Sequence, residues 1–148
     1  MASVVATAEI RREDPTVATL SEQQQQFLEN PYVGVVTTLR PDGSPHSTVV
    51  WVDAEDGEVS FNTALGRVKP TNLERDPRLS LVVVDPNDTY KLVAVEGRAS
   101  LTTDGADAHI DRLAKKYLGK DEYPWRQPDQ VRVTVNIDPV RVESYGID

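Results

Sequence analysis

The sequence predicts a mainly β domain with helices, in which six antiparallel strands form a small barrel. Runs rich in valine and other β-branched residues are separated by strong turn sequences, of which Pro41-Asp42-Gly43-Ser44 is the clearest. The predicted order is a helix, three strands, a short helix, two strands, an amphipathic helix and a last strand. Because tight turns join most of these strands and closing a sheet removes its exposed edges, a barrel with helices at its openings is expected.

The first part of the chain contains a short helix and three strands. Ser21 followed three residues later by Gln24 is a capping-box pattern, and Asn30-Pro31 ends the helix that this pattern starts. The strands are predicted from their β-branched residues and from the alternation of apolar and polar side chains. They cover residues 32–39, 46–53 and 58–63.

A loop with two cations follows the third strand and leads into a second helix, which opens near Val68. Arg67 and Lys69 supply fixed positive charge, and Thr63 and Thr71 supply hydroxyl donors. The unpaired backbone amides of the opening helix turn would face the same point. The loop is therefore a candidate phosphate site. The alternative is a surface loop with two solvated cations beside an ordinary helix start.

The second helix is predicted to end near Asp76-Pro77, and two more strands follow it. Residues 79–85 form an almost continuous apolar run, which indicates a strand that is covered on both faces. Residues 90–102 are long for one strand, and Gly97 within them indicates a bulge or a bend of the kind that a closing barrel needs.

An amphipathic helix and a last strand complete the predicted elements. Asp104 is the predicted cap of this helix and Gly119 is its predicted stop. Residues 120–130 form a loop that contains aromatic residues and prolines, and alternating valines over residues 131–142 predict the last strand. The apolar face of the helix, with spacings of three and four residues, consists of Ile110, Leu113, Ala114, Tyr117 and Leu118.

Length, charge and composition restrict the possible functions. A chain of 148 residues has room for one domain with a real core, here residues 20–148, and residues 1–19 are expected to form a flexible arm. The net charge of −8 argues against a nucleic-acid-binding protein. The absence of cysteine and the wide separation of His46 and His109 argue against a metal site. No membrane span or secretory signal is predicted, so we expect a cytoplasmic protein.

Several motifs together resemble the split β-barrel flavin and deazaflavin oxidoreductases, the superfamily of pyridoxamine 5′-phosphate oxidase. Within that superfamily they resemble most the actinobacterial branch that uses coenzyme F420. The resemblance covers about residues 20–145. It implies an FMN-binding split barrel that forms a homodimer, with the cofactor in the groove between the subunits. The segments that carry it are residues 40–46 (RPDGSPH), 61–69 (FNTALGRVK), 72–78 (NLERDPR) and 109–119 (HIDRLAKKYLG).

The resemblance also implies roles for individual residues. One group would hold the cofactor phosphate, and the second strand would run beneath the isoalloxazine-like ring. Another pair would lie near the outer end of the cofactor, and a last group would form the substrate pocket or approach from the partner subunit. The phosphate would be held by Thr63, Arg67, Val68 and Lys69, and the strand beneath the ring consists of Ser47, Thr48, Val49, Val50 and Trp51. The pair near the outer end of the cofactor is Tyr90 and Lys91. The group at the substrate pocket or the partner subunit is Tyr123, Trp125 and Arg126.

The function that the resemblance implies is an F420-dependent oxidoreductase. Such an enzyme would transfer a hydride from the reduced deazaflavin to an activated double bond, enone-like or quinone-like, in a small organic substrate. FMN-dependent oxidases of the superfamily carry an arginine and a lysine along the second strand, where this chain has residues 47–52 (STVVWV), and this departure favours the deazaflavin. Two alternatives remain: an FMN-dependent oxidoreductase of the pyridoxamine 5′-phosphate oxidase type, and a protein that binds F420 or a flavin without turnover. No catalytic acid or base is assigned from the sequence.

Overall fold

The computed structural model describes residues 18–147, which form three helices and seven strands. The arm predicted for residues 1–19 lies outside the described residues except for its last two, of which Ala18 donates its backbone N–H to the carbonyl of Pro139 (3.1 Å). In chain order the elements are α1 (Glu22–Leu28), β1 (Gly34–Leu39), β2 (Pro45–Val50), β3 (Val52–Glu55), β4 (Glu58–Ala64), α2 (Val68–Arg75), β5 (Arg78–Asp85), β6 (Asp88–Thr102), α3 (Ala106–Leu118) and β7 (Arg132–Tyr145).

All seven strands belong to one antiparallel sheet with the order β2-β1-β5-β6-β7-β4-β3. The two edge strands, β2 and β3, are consecutive in the chain and are separated only by Trp51. The two edges of the sheet therefore come together at this residue, and the sheet curls into a half-barrel.

The prediction of six strands was wrong by one strand. Residues 46–53 were expected to form a single strand, but the chain changes its pairing partner at Trp51. Residues before it pair with β1, where Val50 faces Gly34, and residues after it pair with β4, where Val52 faces Phe61. The sequence pattern is continuous across this point because the residues on both sides of it contribute to one barrel core.

The core fills the interior of the barrel with aliphatic side chains from alternating strand positions. The alternation is the periodicity that places every second side chain on one face of a strand. Phe27 and Leu28 at the end of α1 pack on this core and close one side of it. Side chains with essentially no exposed surface include Val36, Val52, Val59, Phe61, Leu81, Val83, Val93, Val95, Val133 and Val135.

Gly97 marks a bulge between β6 and β7, as predicted. The register of the two strands shifts between Glu96 and Gly97. A Cβ atom at Gly97 would lie 2.2 Å from the carbonyl oxygen of Asp138, so only glycine allows the two backbones to approach this closely. The bulge helps a fifteen-residue strand to follow the curvature of the barrel.

The helix boundaries are partly as predicted. The capping box at Ser21 is present in full, because Ser21 and Gln24 exchange hydrogen bonds of 2.8 and 3.1 Å. The cap predicted at Asp104 was wrong, since α3 starts after Gly105, whose φ of 74° is left-handed and which provides no side-chain cap. Gly119 ends α3 in the predicted left-handed conformation. Among the helices of residues 18–147, none is long and apolar enough to cross a membrane.

Candidate functional site

A cleft of about 200 Å³ lies where the end of β2, the loop before α2, α3 and the loop after α3 come together. It has a cationic end and an aromatic wall. Most of its residues belong to segments that are far apart in the chain, so the cleft exists only in the folded barrel. The residues that line it are Val49, Val50, Trp51, Asn62, Arg67, Lys69, Ile110, Leu113, Tyr123, Trp125 and Arg132.

Three cations line the cleft. Arg67 precedes the first residue of α2, Lys69 lies in the first turn of α2, and Arg132 is the first residue of β7. Strand pairing brings these segments together, because Ala64 faces Arg132 in the β4–β7 ladder and the N–H of Leu65 donates to the carbonyl of residue 131 (2.9 Å). Within residues 18–147, none of the three cations forms an ion pair with a carboxylate.

The three cations destabilise one another in the absence of an anion. Burial lowers the pKa of Lys69, and the charges of Arg67 and Arg132 lower it further. Burial likewise lowers the pKa of Arg132, and Arg67 acts in the same direction. A bound anion would relieve this repulsion, and guanidinium and ammonium groups form charge-assisted hydrogen bonds with phosphate oxygens, so the three cations suit a phosphate group.

Arg132 and Asn62 are site residues that the sequence-based analysis did not identify. Arg132 is almost fully buried and donates from Nε to Oδ1 of Asn62 (2.8 Å) and from Nη1 to Oε1 of Gln130 (3.0 Å). Its guanidinium lies 5.2 Å from the ring centre of Tyr123. A signal was present in the sequence, because residues 132, 134 and 136 are polar and alternate with three core residues, which marks a polar face of β7.

Aromatic side chains form the wall of the cleft opposite the apolar end of β2. The ring of Trp51 contacts Tyr123 edge to face, with centroids 6.2 Å apart, and Tyr123 contacts Trp125 in the same way at 5.7 Å. Edge-to-face contacts of this kind are favourable and fix the orientation of the rings. Val49 is 64% exposed beside this wall, whereas Val50 is buried. The cleft therefore offers apolar and aromatic surface next to a candidate anion site.

Three of the residues expected to bind the cofactor, Ser47, Thr48 and Thr63, are not among those that line the cleft. The hydroxyl of Ser47 is hydrogen-bonded to that of Thr37 (2.8 Å) on the neighbouring strand. The hydroxyl of Thr48 is buried and has no hydrogen-bond partner within residues 18–147. Thr63 is fully buried on the face of β4 that faces the barrel core, and its hydroxyl is also unpartnered among the described residues. The strand alternation turns Thr63 away from the cleft and Asn62 towards it.

Two other polar groups were expected to contact the phosphate, the backbone of Val68 and the hydroxyl of Thr71, and only the first is free to do so. Val68 is 49% exposed at the first residue of α2, and its backbone belongs to the turn that carries Lys69. The hydroxyl of Thr71 donates to the carbonyl of Arg67 (2.9 Å), so it closes the helix turn instead of facing an anion. The positive charge of the site therefore comes from side chains more than from hydroxyl donors.

Tyr90 and Lys91 do not line the cleft of their own chain. They lie at the start of β6, and the next residue, Leu92, pairs with Tyr145. Tyr145 and Arg132 are at opposite ends of β7, so the two residues are far along the barrel from the cationic end of the cleft. Tyr90 is 85% exposed.

The loop of residues 120–130 is fixed to α3 of its own chain. Asp111 accepts hydrogen bonds from the N–H of Tyr123 (2.9 Å) and from Nη2 of Arg126 (2.6 Å), and Arg126 also forms an ion pair with Asp107 (3.3 Å). Tyr123 and Trp125 line the cleft of their own chain, and the role expected for them in a substrate pocket or at a partner subunit stays a prediction. Arg126 is held by the two carboxylates outside the cleft.

A second cavity, of about 330 Å³, lies next to the cleft and has the opposite charge. Carboxylates of residues 53, 55, 56, 58 and 104 line it, which makes it unsuitable for an anion. Ser60 and His109 also line it, and their side chains are 3.0 Å apart. His109 Nε2 lies 3.3 Å from the carboxylate of Asp53. Burial would raise the pKa of Asp53, but hydrogen bonds from His109 and Arg112 lower it to about 2.

The chain is similar to known proteins over most of its length. The family model described as pyridoxamine 5′-phosphate oxidase matches residues 20–145. The chain is 31% identical over 127 residues to an F420H(2)-dependent biliverdin reductase of Mycobacterium tuberculosis, and the match covers 84% of this chain and 89% of the reductase.

Solved structures have the same fold. An F420 reductase is similar with a TM-score of 0.72 and 25% identity, over 84% of this chain and 98% of the reductase chain. A conserved hypothetical protein of Mycobacterium tuberculosis is similar with a TM-score of 0.67 and 25% identity, over 89% of this chain and 88% of that chain. The general stress protein 26 of Bacillus anthracis has the fold at 23% identity, with a TM-score of 0.62 over 86% of this chain and 94% of that chain.

Proposed function

The chain belongs to the pyridoxamine 5′-phosphate oxidase family, and we propose that within it the protein is an F420-dependent oxidoreductase. In this proposal a hydride passes from reduced F420 to an activated double bond, enone-like or quinone-like, in a small organic substrate. The similarity to an F420H(2)-dependent biliverdin reductase and to an F420 reductase supports F420 as the cofactor. The proposal includes a cytoplasmic location.

The observation that carries the proposal is the group of three cations, Arg67, Lys69 and Arg132, which lacks carboxylate partners within residues 18–147. Grouping three uncompensated cations in a chain with a net charge of −8 is unfavourable unless an anion binds there. The phosphate of F420 fits this requirement, because guanidinium and ammonium groups form charge-assisted hydrogen bonds with its oxygens.

The apolar part of the cleft fits a planar ring. The exposed Val49 supplies apolar surface at the end of β2, and Trp51 adds an aromatic ring beside it. Tyr117 stacks on Trp51 and Tyr123 contacts it edge to face, and both contacts favour the observed orientation of the Trp51 ring. When bound, the deazaflavin supplies the hydride chemistry, while these residues orient the ring and exclude water from one of its faces.

A homodimer is part of the proposal, and a row of exposed valines supports it. Val49, Val35 and Val82 are cross-strand neighbours on β2, β1 and β5, so their side chains share the outer face of the sheet. They are 64%, 43% and 37% exposed. Contiguous exposed apolar surface of this kind is typical of an interface. Because Val49 also lines the cleft, a partner on this row would border the cleft, and residues such as Tyr90 and Lys91 could reach it only from that partner.

Titration with F420 tests the proposal. Trp51 and Trp125 line the cleft and are the only two tryptophans, so binding should change the intrinsic tryptophan emission in a saturable way at micromolar cofactor. Parallel titration with FMN tests the flavin alternative. Turnover is measured by the loss of reduced F420 with a panel of enones, quinones and biliverdin. Absence of saturable F420 binding would contradict the proposal, and binding without turnover of any panel member would favour a binding protein.

A further inference from the structure

A chain of hydrogen bonds connects the anion site to the interior of the acidic cavity. Hydrogen bonds of 2.8 and 3.0 Å join Arg132 to Asn62 and Asn62 to His109, and His109 Nε2 lies 3.3 Å from the carboxylate of Asp53. We call these four side chains the relay. We propose that Asn62 and His109 are positioning residues that hold the guanidinium of Arg132 in place as the third ligand of the cofactor phosphate. This inference rests on the proposed F420 binding.

The orientation of the Asn62 amide is determined by two of its partners. Arg132 Nε can only donate, so the group that faces it must be Oδ1 of Asn62. The carbonyl of Ala106 can only accept, so the group that faces it at 2.9 Å must be Nδ2. The two requirements agree, and together they fix which end of the amide faces His109.

The orientation of Asn62 in turn fixes the tautomer of His109. Nδ2 of Asn62 also lies 3.0 Å from Nδ1 of His109, and because an amide nitrogen can only donate, Nδ1 must accept. The ring proton is then on Nε2, where the carboxylate of Asp53 and the hydroxyl of Ser60 lie within 3.3 and 3.0 Å. With its proton on Nε2, His109 accepts from Asn62 and can donate towards Asp53 or Ser60, so the two central members of the relay are both paired.

The relay leaves part of the guanidinium available to a ligand. Arg132 uses Nε for Asn62 and Nη1 for Gln130, and within residues 18–147 its Nη2 has no acceptor. Arg132 is 6% exposed, His109 is 3% exposed, and both are enclosed by β4, β7 and α3. A buried guanidinium held at two of its nitrogens loses little freedom when an anion binds to the third, and this preorganisation strengthens binding.

Four variants test the inference, with affinity for F420 measured by tryptophan emission. Asn62→Leu removes both the acceptor for Arg132 and the donor for His109, and His109→Leu removes the acceptor for Asn62. Each should weaken F420 binding about tenfold, as expected when one charge-assisted contact is loosened. His109→Asn places an amide oxygen near the position of Nδ1 and should retain the affinity of the wild type. Val95→Ala, in the core far from the relay, controls for a general loss of stability.

Nitrogen NMR supplies a readout that does not depend on the cofactor. In the wild type, one arginine Nε–H should exchange slowly and Nδ1 of His109 should carry no proton; the protected arginine signal should disappear in Asn62→Leu. Absence of F420 binding by the wild type would overturn the proposed function and this inference with it. Binding by the wild type with unchanged affinity in Asn62→Leu would overturn this inference alone. If Asn62→Leu does not fold, equal affinities of His109→Leu and His109→Asn would overturn it.

Discussion

The ring of Trp51 lies parallel to that of Tyr117, with the ring centroids 5.3 Å apart and 8° between the planes. Trp51 is the residue at which the chain passes from one edge of the sheet to the other. The hydroxyl of Tyr117 donates to the carbonyl of Tyr32 (2.6 Å) and accepts the N–H of Val52 (2.9 Å). The stack therefore joins α3 to the segment at which the two sheet edges come together. Trp51 also contacts Tyr123, which lines the cleft.

Removal of the Tyr117 hydroxyl should destabilise the segment at which the sheet edges come together. Tyr117→Phe keeps the stack with Trp51 but leaves the N–H of Val52 and the carbonyl of Tyr32 without this partner. The free energy of unfolding, measured by urea denaturation, should fall by roughly 1–3 kcal/mol. Tyr90→Phe is the matched control, because Tyr90 is 85% exposed, and it should change stability little. Equal stabilities of the two variants would show that the hydroxyl of Tyr117 does not secure this segment.

Removal of one cation from the anion site should weaken F420 binding. Lys69→Ala eliminates a charge-assisted phosphate contact, and its loss should cost roughly 1.5–3 kcal/mol, or about ten- to a hundredfold in the dissociation constant. The same titration should also show that added salt weakens wild-type binding.

Lys120→Ala is the control for this experiment, because it removes the same charge from an exposed loop position. Its dissociation constant for F420 should equal that of the wild type. If Lys69→Ala binds F420 as tightly as Lys120→Ala does, the phosphate does not bind at this site.

A charge in the valine row should prevent dimerisation. Val35→Arg places an arginine at the centre of the row, where burial against a second copy would leave the charge unpaired. Analytical ultracentrifugation should show a dimer for the wild type and a monomer for this variant. Val140→Arg changes another exposed valine, at the bulge of β7, and should remain dimeric. A wild-type protein that is monomeric at all concentrations would refute the proposed dimer.

Protonation of Asp53 should lower the free energy of unfolding at acidic pH. Its pKa is about 2 in the folded protein and 3.8 without the fold. A carboxylate with a lowered pKa stabilises the folded state above pH 4, and this contribution is lost as the pH falls from about 4 through 2. Asp53→Asn should therefore be less stable than the wild type at pH 7, by on the order of 2 kcal/mol, and the difference should shrink towards pH 2.

Urea denaturation between pH 2 and pH 7 measures this difference. Asp104→Asn is the control in the same cavity, because the Asp104 side chain forms no ion pair within residues 18–147. A difference between Asp53→Asn and the wild type that stays constant over the whole range would contradict the assigned interactions of Asp53.

Local features of the fold could be predicted because each depends on residues close together in the chain. The capping box at Ser21 and the left-handed stop at Gly119 follow from side chains within one helix turn. The bulge at Gly97 follows from the absence of a side chain, which allows the neighbouring backbone to approach closely. The buried face of α3, including Ile110 and Leu113, follows from helical periodicity. In each case the pattern and the structure that it specifies span the same few residues.

The candidate site was predictable in part for the same reason. Arg67 and Lys69 were identified because a strand, a loop and a helix start follow one another directly in the chain. Thr63 was also expected there, but strand alternation turns it to the core and places Asn62 in the cleft instead. Arg132 was missed because it is distant in sequence from Arg67, and only the β4–β7 pairing brings the two together.

The amino-acid sequence by itself determined the periodicity of the strands, the positions of the turns and the cation loop, because these depend on short-range sterics and on hydrophobic alternation. Only the tertiary structure decided that the sheet edges meet at Trp51, that Arg132 lies beside Lys69, and that Tyr123 packs in the cleft of its own chain. The physical reason is that closing a barrel selects strand partners from distant parts of the chain. The stability of each strand pairing depends on the packing of the whole core, and no short stretch of sequence specifies that packing.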